Sequence, residues 1–172
     1  MAQTSTIESS PPGAIAQPLP GASPARSSRF ETWEQDLATF LEEAAHKPFA
    51  WGSHDCCLFV SEAIGVMTGT DIAEIKHLPG NYHTRIGAYA LLGKTMDART
   101  FREALEHLAE EFGFPVWSHP ALAQRGDAAL VQDERGEEAL GIVDLDGRWV
   151  VCLGENGLIR LPADGILIAW KI

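Results

Sequence analysis

The chain has 172 residues, 45% of them apolar, and a net charge of −11. That length suits one domain, the apolar content excludes a wholly disordered chain, and the acidic balance excludes nucleic acid or anionic lipid held on a general basic surface. No apolar run approaches the roughly 20 residues of a membrane span, and three cysteines read as reduced thiols rather than a disulfide framework.

Residues 1–28 hold five of the ten prolines, no aromatic residue and two charges, Glu8 and Arg26. They read as an extended segment with little to bury: a tail, or an arm that orders against a partner chain. They lack the basic start and apolar stretch of a secretory signal. The domain is assigned to residues 29–172.

A first helix is predicted from a Ser28/Glu31 capping box, with Phe30, Trp33, Leu37, Phe40, Leu41 and Ala44 as its apolar stripe and Pro48 as its stop. After a short loop, Asp55 caps a second helix over Cys56–Met67 that Gly69 ends. Thr84–Leu92 and Thr100–Phe112 are two further helices, the latter opened by a Thr100/Glu103 box and stopped at Gly113. From Pro115 the pattern changes to short strands: Asp127–Gln132, Ala139–Asp144, Trp149–Leu153, Leu158–Leu161 and Ile166–Lys171. Arg135-Gly136, Asp146-Gly147, Asn156-Gly157 and Asp164-Gly165 mark the turns. Helices followed by an antiparallel meander make an α+β domain, with helices packed on one sheet of about five strands.

The strongest local signal for chemistry is the run from Trp51 through Asp55, Cys56 and Cys57 to Val60. A cysteine in the first turn of a helix meets unpaired backbone N–H groups and the positive end of the helix dipole, and both favour the nucleophilic thiolate. Cys56 is the candidate nucleophile. Cys57, next along the helix, reads as a small buried residue. Asp127, after Gly126, reads as turn chemistry, with its carboxylate on local backbone N–H groups.

Gly52-Ser53-His54-Asp55-Cys56 opening a helix, Gly126-Asp127 leading a strand, and the strand Ala139-Leu140-Gly141-Ile142-Val143 together resemble the NlpC-like cell-wall peptidases. The resemblance covers residues 30–172 and implies a papain-like fold with Cys56 as nucleophile. The chain is more closely similar to phage and prophage tail-tip proteins of that fold. That likeness rests on Trp51-Gly52, Asp55-Cys56, Thr68-Gly69-Thr70-Asp71, Tyr82, Gly87-Ala88, Gly157-Leu158 and Ala169-Trp170.

The chain departs from the peptidases at Ala139, where the resemblance places the catalytic histidine. It departs again near Val151 or Cys152, where a polar residue should orient that ring. Without imidazole no obvious group takes the thiol proton or protonates the leaving amine. Of the six histidines, His54 is the best substitute by proximity, two residues before Cys56. His46 suits a helix C-terminus, His107 reads as a solvated helix residue, His83 and His119 lie in loops, and His77 carries no assigned role. His54, Cys56, Cys57 and Cys152 have poor spacing for tetrahedral zinc, and no phosphate loop or dinucleotide fingerprint is present, so no metal or cofactor is expected.

These features imply a structural or assembly component of a phage or prophage tail tip on a degenerate NlpC-like fold, made in the bacterial cytoplasm and carried in the virion. Its expected partners are other tail-tip proteins, met through the residue 1–28 arm, with peptidoglycan as a further ligand. The alternative is an active cysteine endopeptidase that cuts peptidoglycan with Cys56 and His54. A weaker third reading is a binding domain that kept the cleft and lost the chemistry.

Overall fold

The computed structural model describes residues 28–132 and 136–172, so the expectations for residues 1–27 and for the turn at Arg135 lie outside the described residues. Helices come first in the chain: α1 (Trp33–Ala44), α2 (Cys56–Thr68), α3 (Ile72–Ile75), α4 (Arg85–Met96) and α5 (Phe101–Glu111). Strands follow: β1 (Ala128–Gln132), β2 (Glu138–Val143), β3 (Trp149–Gly154), β4 (Gly157–Pro162) and β5 (Ile166–Trp170). All pairings are antiparallel, in one five-stranded sheet. The fold is therefore α+β, as expected. No helix of the described residues is long and apolar enough to cross a membrane.

The element boundaries differ from expectation where a side-chain bond goes elsewhere. α1 starts at Trp33 behind Thr32 with no side-chain cap, so Ser28 and Glu31 form no capping box; the Thr32 hydroxyl instead donates to Asp36. Phe30 stands outside the helical stripe, 48% exposed, and its N–H donates to the Met67 carbonyl. α1 ends at Ala44, before Pro48 is reached. α4 runs to Met96, past the expected Leu92, and stops where Asp97 turns left-handed at φ 51°. The short α3, capped by Asp71, has too few residues to show a period.

Where the sequence suggested a simple meander, only β1 to β4 follow one; β5 returns to pair with β1, giving the order β4-β3-β2-β1-β5. In a flat sheet four strand spacings would hold β4 and β5 about 19 Å apart. Only Ala163–Gly165 joins them, and that link spans at most about 14 Å. The sheet must curl until its edges approach.

Curling gives the sheet two faces of different character. The convex face carries Ala128, Leu130, Leu140, Ile142, Val151 and Leu153 in the main core with α2. α2 is buried nearly all round, as a central helix must be, and α1 covers it through Leu37, Phe40, Leu41 and Ala44, with Phe40 stacked on Phe59. The concave face closes over a smaller cluster of Ala129, Val131, Val143, Val150, Cys152, Ile166 and Ala169. Small residues are required there because the curl brings backbones close. A Cβ on Gly141 would lie 2.4 Å from the Val151 carbonyl oxygen and 2.6 Å from the Cys152 sulfur.

Gly126-Asp127 ties the start of the domain to this sheet. Asp127 is buried and accepts from the Gln124 N–H at 2.8 Å, the expected turn bond. It also accepts from Trp117 Nε1 and Arg29 Nη2, both at 2.7 Å. Arg29 lies over the Trp33 ring and donates to the Arg125 carbonyl. Asp127 is thus a long-range clasp as well as a turn residue.

Candidate functional site

The loop before α2 is folded by its own backbone and then locked by one carboxylate. Ala50 and His54 exchange two backbone hydrogen bonds, of 2.9 and 2.8 Å. Gly52 sits at φ +74°, and its carbonyl accepts from the Gly80 N–H. A Cβ there would fall 1.9 Å from the Tyr82 carbonyl oxygen, so only glycine fits. Asp55, 1% exposed, joins these parts. Its Oδ1 accepts from the N–H groups of Cys57 and Leu58, as an N-cap does. Its Oδ2 accepts from the Gly52 N–H at 2.9 Å and from the Tyr82 hydroxyl at 2.6 Å. Burial and the bond to Asp55 push the Tyr82 phenol far above its ordinary range.

This lock carries Cys56 to the surface at the first position of α2, half-buried, and turns Cys57 inward. Two of the N–H groups that a sequence reading would offer to a thiolate are spent on Asp55. Hydrogen bonding to the Cys56 sulfur, burial and the Cys56 and Asp55 charges hold the Cys57 thiol well above its usual range. Beside Cys57 lies an apolar cavity of about 50 Å³ bounded by Ser61, Leu78 and Leu140. That volume is too small for a peptide side chain of any size, and its apolar lining offers a water few partners.

The surroundings of Cys56 extend to groups that the sequence did not single out. Tyr89 on α4 is half exposed and stacks beside Phe101 at 5.5 Å. Its phenol is pushed up by burial first, then by the Cys56, Cys57 and Glu138 charges, with Arg85 opposing. Glu138 at the start of β2 accepts from Arg102 at 2.6 Å. The available signal for Glu138 was its place as the one charged residue opening an otherwise apolar strand.

The structure shows the surroundings of Ala139, Val151 and Cys152, the positions where the sequence resemblance would put a catalytic histidine and its orienting partner. Ala139 packs with the concave cluster, on the face shared by Gly141 and its register partner Cys152. Of the two positions expected to orient a histidine, Cys152 is thus the one on the face of Ala139, while Val151 points into the main core. Cys152 is wholly buried; burial and the Cys56 charge raise its thiol to about 12. A thiol held protonated is a poor partner for an imidazole.

His54 Nε2 is buried and has no hydrogen-bond partner among the described residues, so no bond from this atom reaches Cys56. His107 is half-buried with Nδ1 2.8 Å from the Met96 carbonyl, not a solvated face residue; its partner lies across the α4–α5 turn, which a helical wheel does not show. His119 caps the 3-10 turn at residues 120–122. His46, His77 and His83 are exposed.

As for metal ligands, Asp55, Cys56 and Cys57 bring donor atoms within 4.8 Å of one another, and His54 and Cys152 are not in that group. Asp55 already accepts four hydrogen bonds. Two free sulfurs do not fit the four-ligand shell of zinc.

Residues 28–172 match the family described as Domain of unknown function (DUF6950). That span is most of the chain, and the chain belongs to this family. No curated protein matches it.

Proposed function

We propose that this member of the DUF6950 family is a tail-tip component of a phage or prophage, with a structural role in assembly, built on a degenerate NlpC-like, papain-type fold. The observation that carries the reading is the composition of the triad positions. A nucleophile-position cysteine heads α2, while alanine and a buried, protonated thiol stand at residues 139 and 152. The helix-first order, the curled antiparallel sheet and the Asp55 cap are compatible with such an ancestry. Its place is the virion after synthesis in the bacterial cytoplasm, its partners are neighbouring tail-tip proteins, and residues 1–28 are the contact arm.

The alternative, an active peptidoglycan endopeptidase, draws on one observation: Cys56 is accessible, and the unpartnered Nε2 of His54 lies two residues away. One pair of experiments separates the readings. Iodoacetamide should label Cys56 of the purified protein while stem peptides stay intact, because alkylation needs only access whereas amide cleavage needs a positioned acid, a contribution of about 10²–10⁴-fold. Deleting the coding sequence from a phage that carries it should leave incomplete tail tips in electron micrographs, and Cys56→Ala should restore them. Stem-peptide turnover that is lost in both Cys56→Ala and His54→Ala would establish the peptidase. Complete, infectious tails without the protein would remove the tail-tip role.

A further inference from the structure

We propose that Cys56 and Cys57 form a two-thiolate site for a soft monovalent cation, with copper(I) as the chemical type. The inference is independent of the tail-tip reading, since it rests on the two sulfurs and their frame.

Adjacent cysteines on an extended strand point to opposite sides. Here they occupy the first two positions of α2, where the helical turn brings their sulfurs within 4.8 Å. That span accommodates one ion between two sulfurs. Cys57 is turned toward the interior and Cys56 is half-exposed, so an ion enters past Cys56 and finds its second ligand beneath.

The frame fixes which ion is suited. Asp55 belongs to the same cluster, but both its oxygens are held by N–H groups and by the Tyr82 hydroxyl, so it orients the helix start rather than ligating. No histidine joins the cluster among the described residues. A hard ion such as magnesium or calcium lacks oxygen ligands, and zinc lacks two of its four. Thiolate alone, at low coordination number, selects copper(I). Binding is an exchange without oxidation: two S–H protons leave to solvent, two sulfur–copper bonds form, and the metal stays monovalent. Because two thiol protons are released for each ion bound, affinity rises with pH.

The test is a titration of the reduced, full-length protein with copper(I) under anaerobic conditions, in competition with a chromophoric copper(I) chelator. The expected result is one copper(I) per chain, two sulfur scatterers in X-ray absorption, and tighter binding at pH 8 than at pH 6. Cys56→Ser and Cys57→Ser should each abolish retention against the chelator, while Cys152→Ser should keep it. Cys56 is at the surface, so its variant reports on ligation even if Cys57→Ser fails to fold. Retention unchanged in Cys56→Ser, no retention by the wild-type protein, or a nitrogen-dominated metal shell would each overturn the proposal. So would loss of both thiols to a Cys56–Cys57 disulfide in place of metal binding.

Discussion

Replacing Asp55 with alanine tests whether one carboxylate organises the helix start, the Gly52 loop and Tyr82 together. The change removes the N-cap, worth about 1 kcal/mol. It also leaves the Gly52 N–H and the Tyr82 hydroxyl without their acceptor, at about 1–3 kcal/mol each for buried groups. The sum is about 3–7 kcal/mol, and about 4 kcal/mol if water reaches the two orphaned groups and holds each near the lower end of its range. With a urea dependence of about 2 kcal/mol per molar, the unfolding midpoint should fall by about 2 M. Tyr82→Phe removes one bond to the same oxygen and should cost about half as much. Asp71 is the control: it caps the short α3 at an exposed position, and Asp71→Ala should shift the midpoint by less than about 0.5 M. Equilibrium urea unfolding followed by circular dichroism gives all three values. If Asp55→Ala lands within 0.5 M of wild type, or Asp71→Ala is equally harmful, the carboxylate is not the organising group and the reasoning fails.

Four further perturbations probe the packing. Removing residues 1–27 should leave the melting temperature unchanged, whereas Arg29→Ala should cost about 2–3 kcal/mol by calorimetry; this is somewhat below the cost of breaking an isolated buried ion pair, because Trp117 and Gln124 still serve Asp127. Gly141→Ala should cost about 3 kcal/mol in urea unfolding, the top of the usual overpacking range, since its Cβ meets the Val151 carbonyl rather than a flexible side-chain end. Cys152 ionises near 12 in the folded protein against an ordinary 9.0, so the folded state keeps a proton that the unfolded chain loses above pH 9. Its contribution is complete below pH 9 and declines as pH rises from 9 toward 12. Cys152→Ala should therefore flatten the fall in stability between pH 8 and 10, and an unchanged slope would refute the assignment.

The sequence by itself determined the fold class, the number of strands, the ends of α2 and α5 and the start of α4, because these rest on local chemistry. Asp55, Thr84 and Thr100 cap the helices they precede, Gly69 turns left-handed to end α2, and short apolar runs between turn signals fall into strands. It also placed Cys56 at the head of its helix. Four matters were decided only by tertiary structure. The Ser28/Glu31 box does not form because Phe30 and Arg29 are held by Met67 and Asp127, partners far along the chain. The return of β5 to β1 depends on sheet curl, which no turn motif encodes. The meeting of Tyr82 with Asp55 depends on a loop crossing, with Gly52 as the space it needs. The face on which Ala139 and Cys152 meet depends on β2–β3 register, and register is a property of two strands together. Capping and short apolar runs are local and can be read in one segment; curl, crossing and register arise from contacts between segments and exist only once the chain has folded.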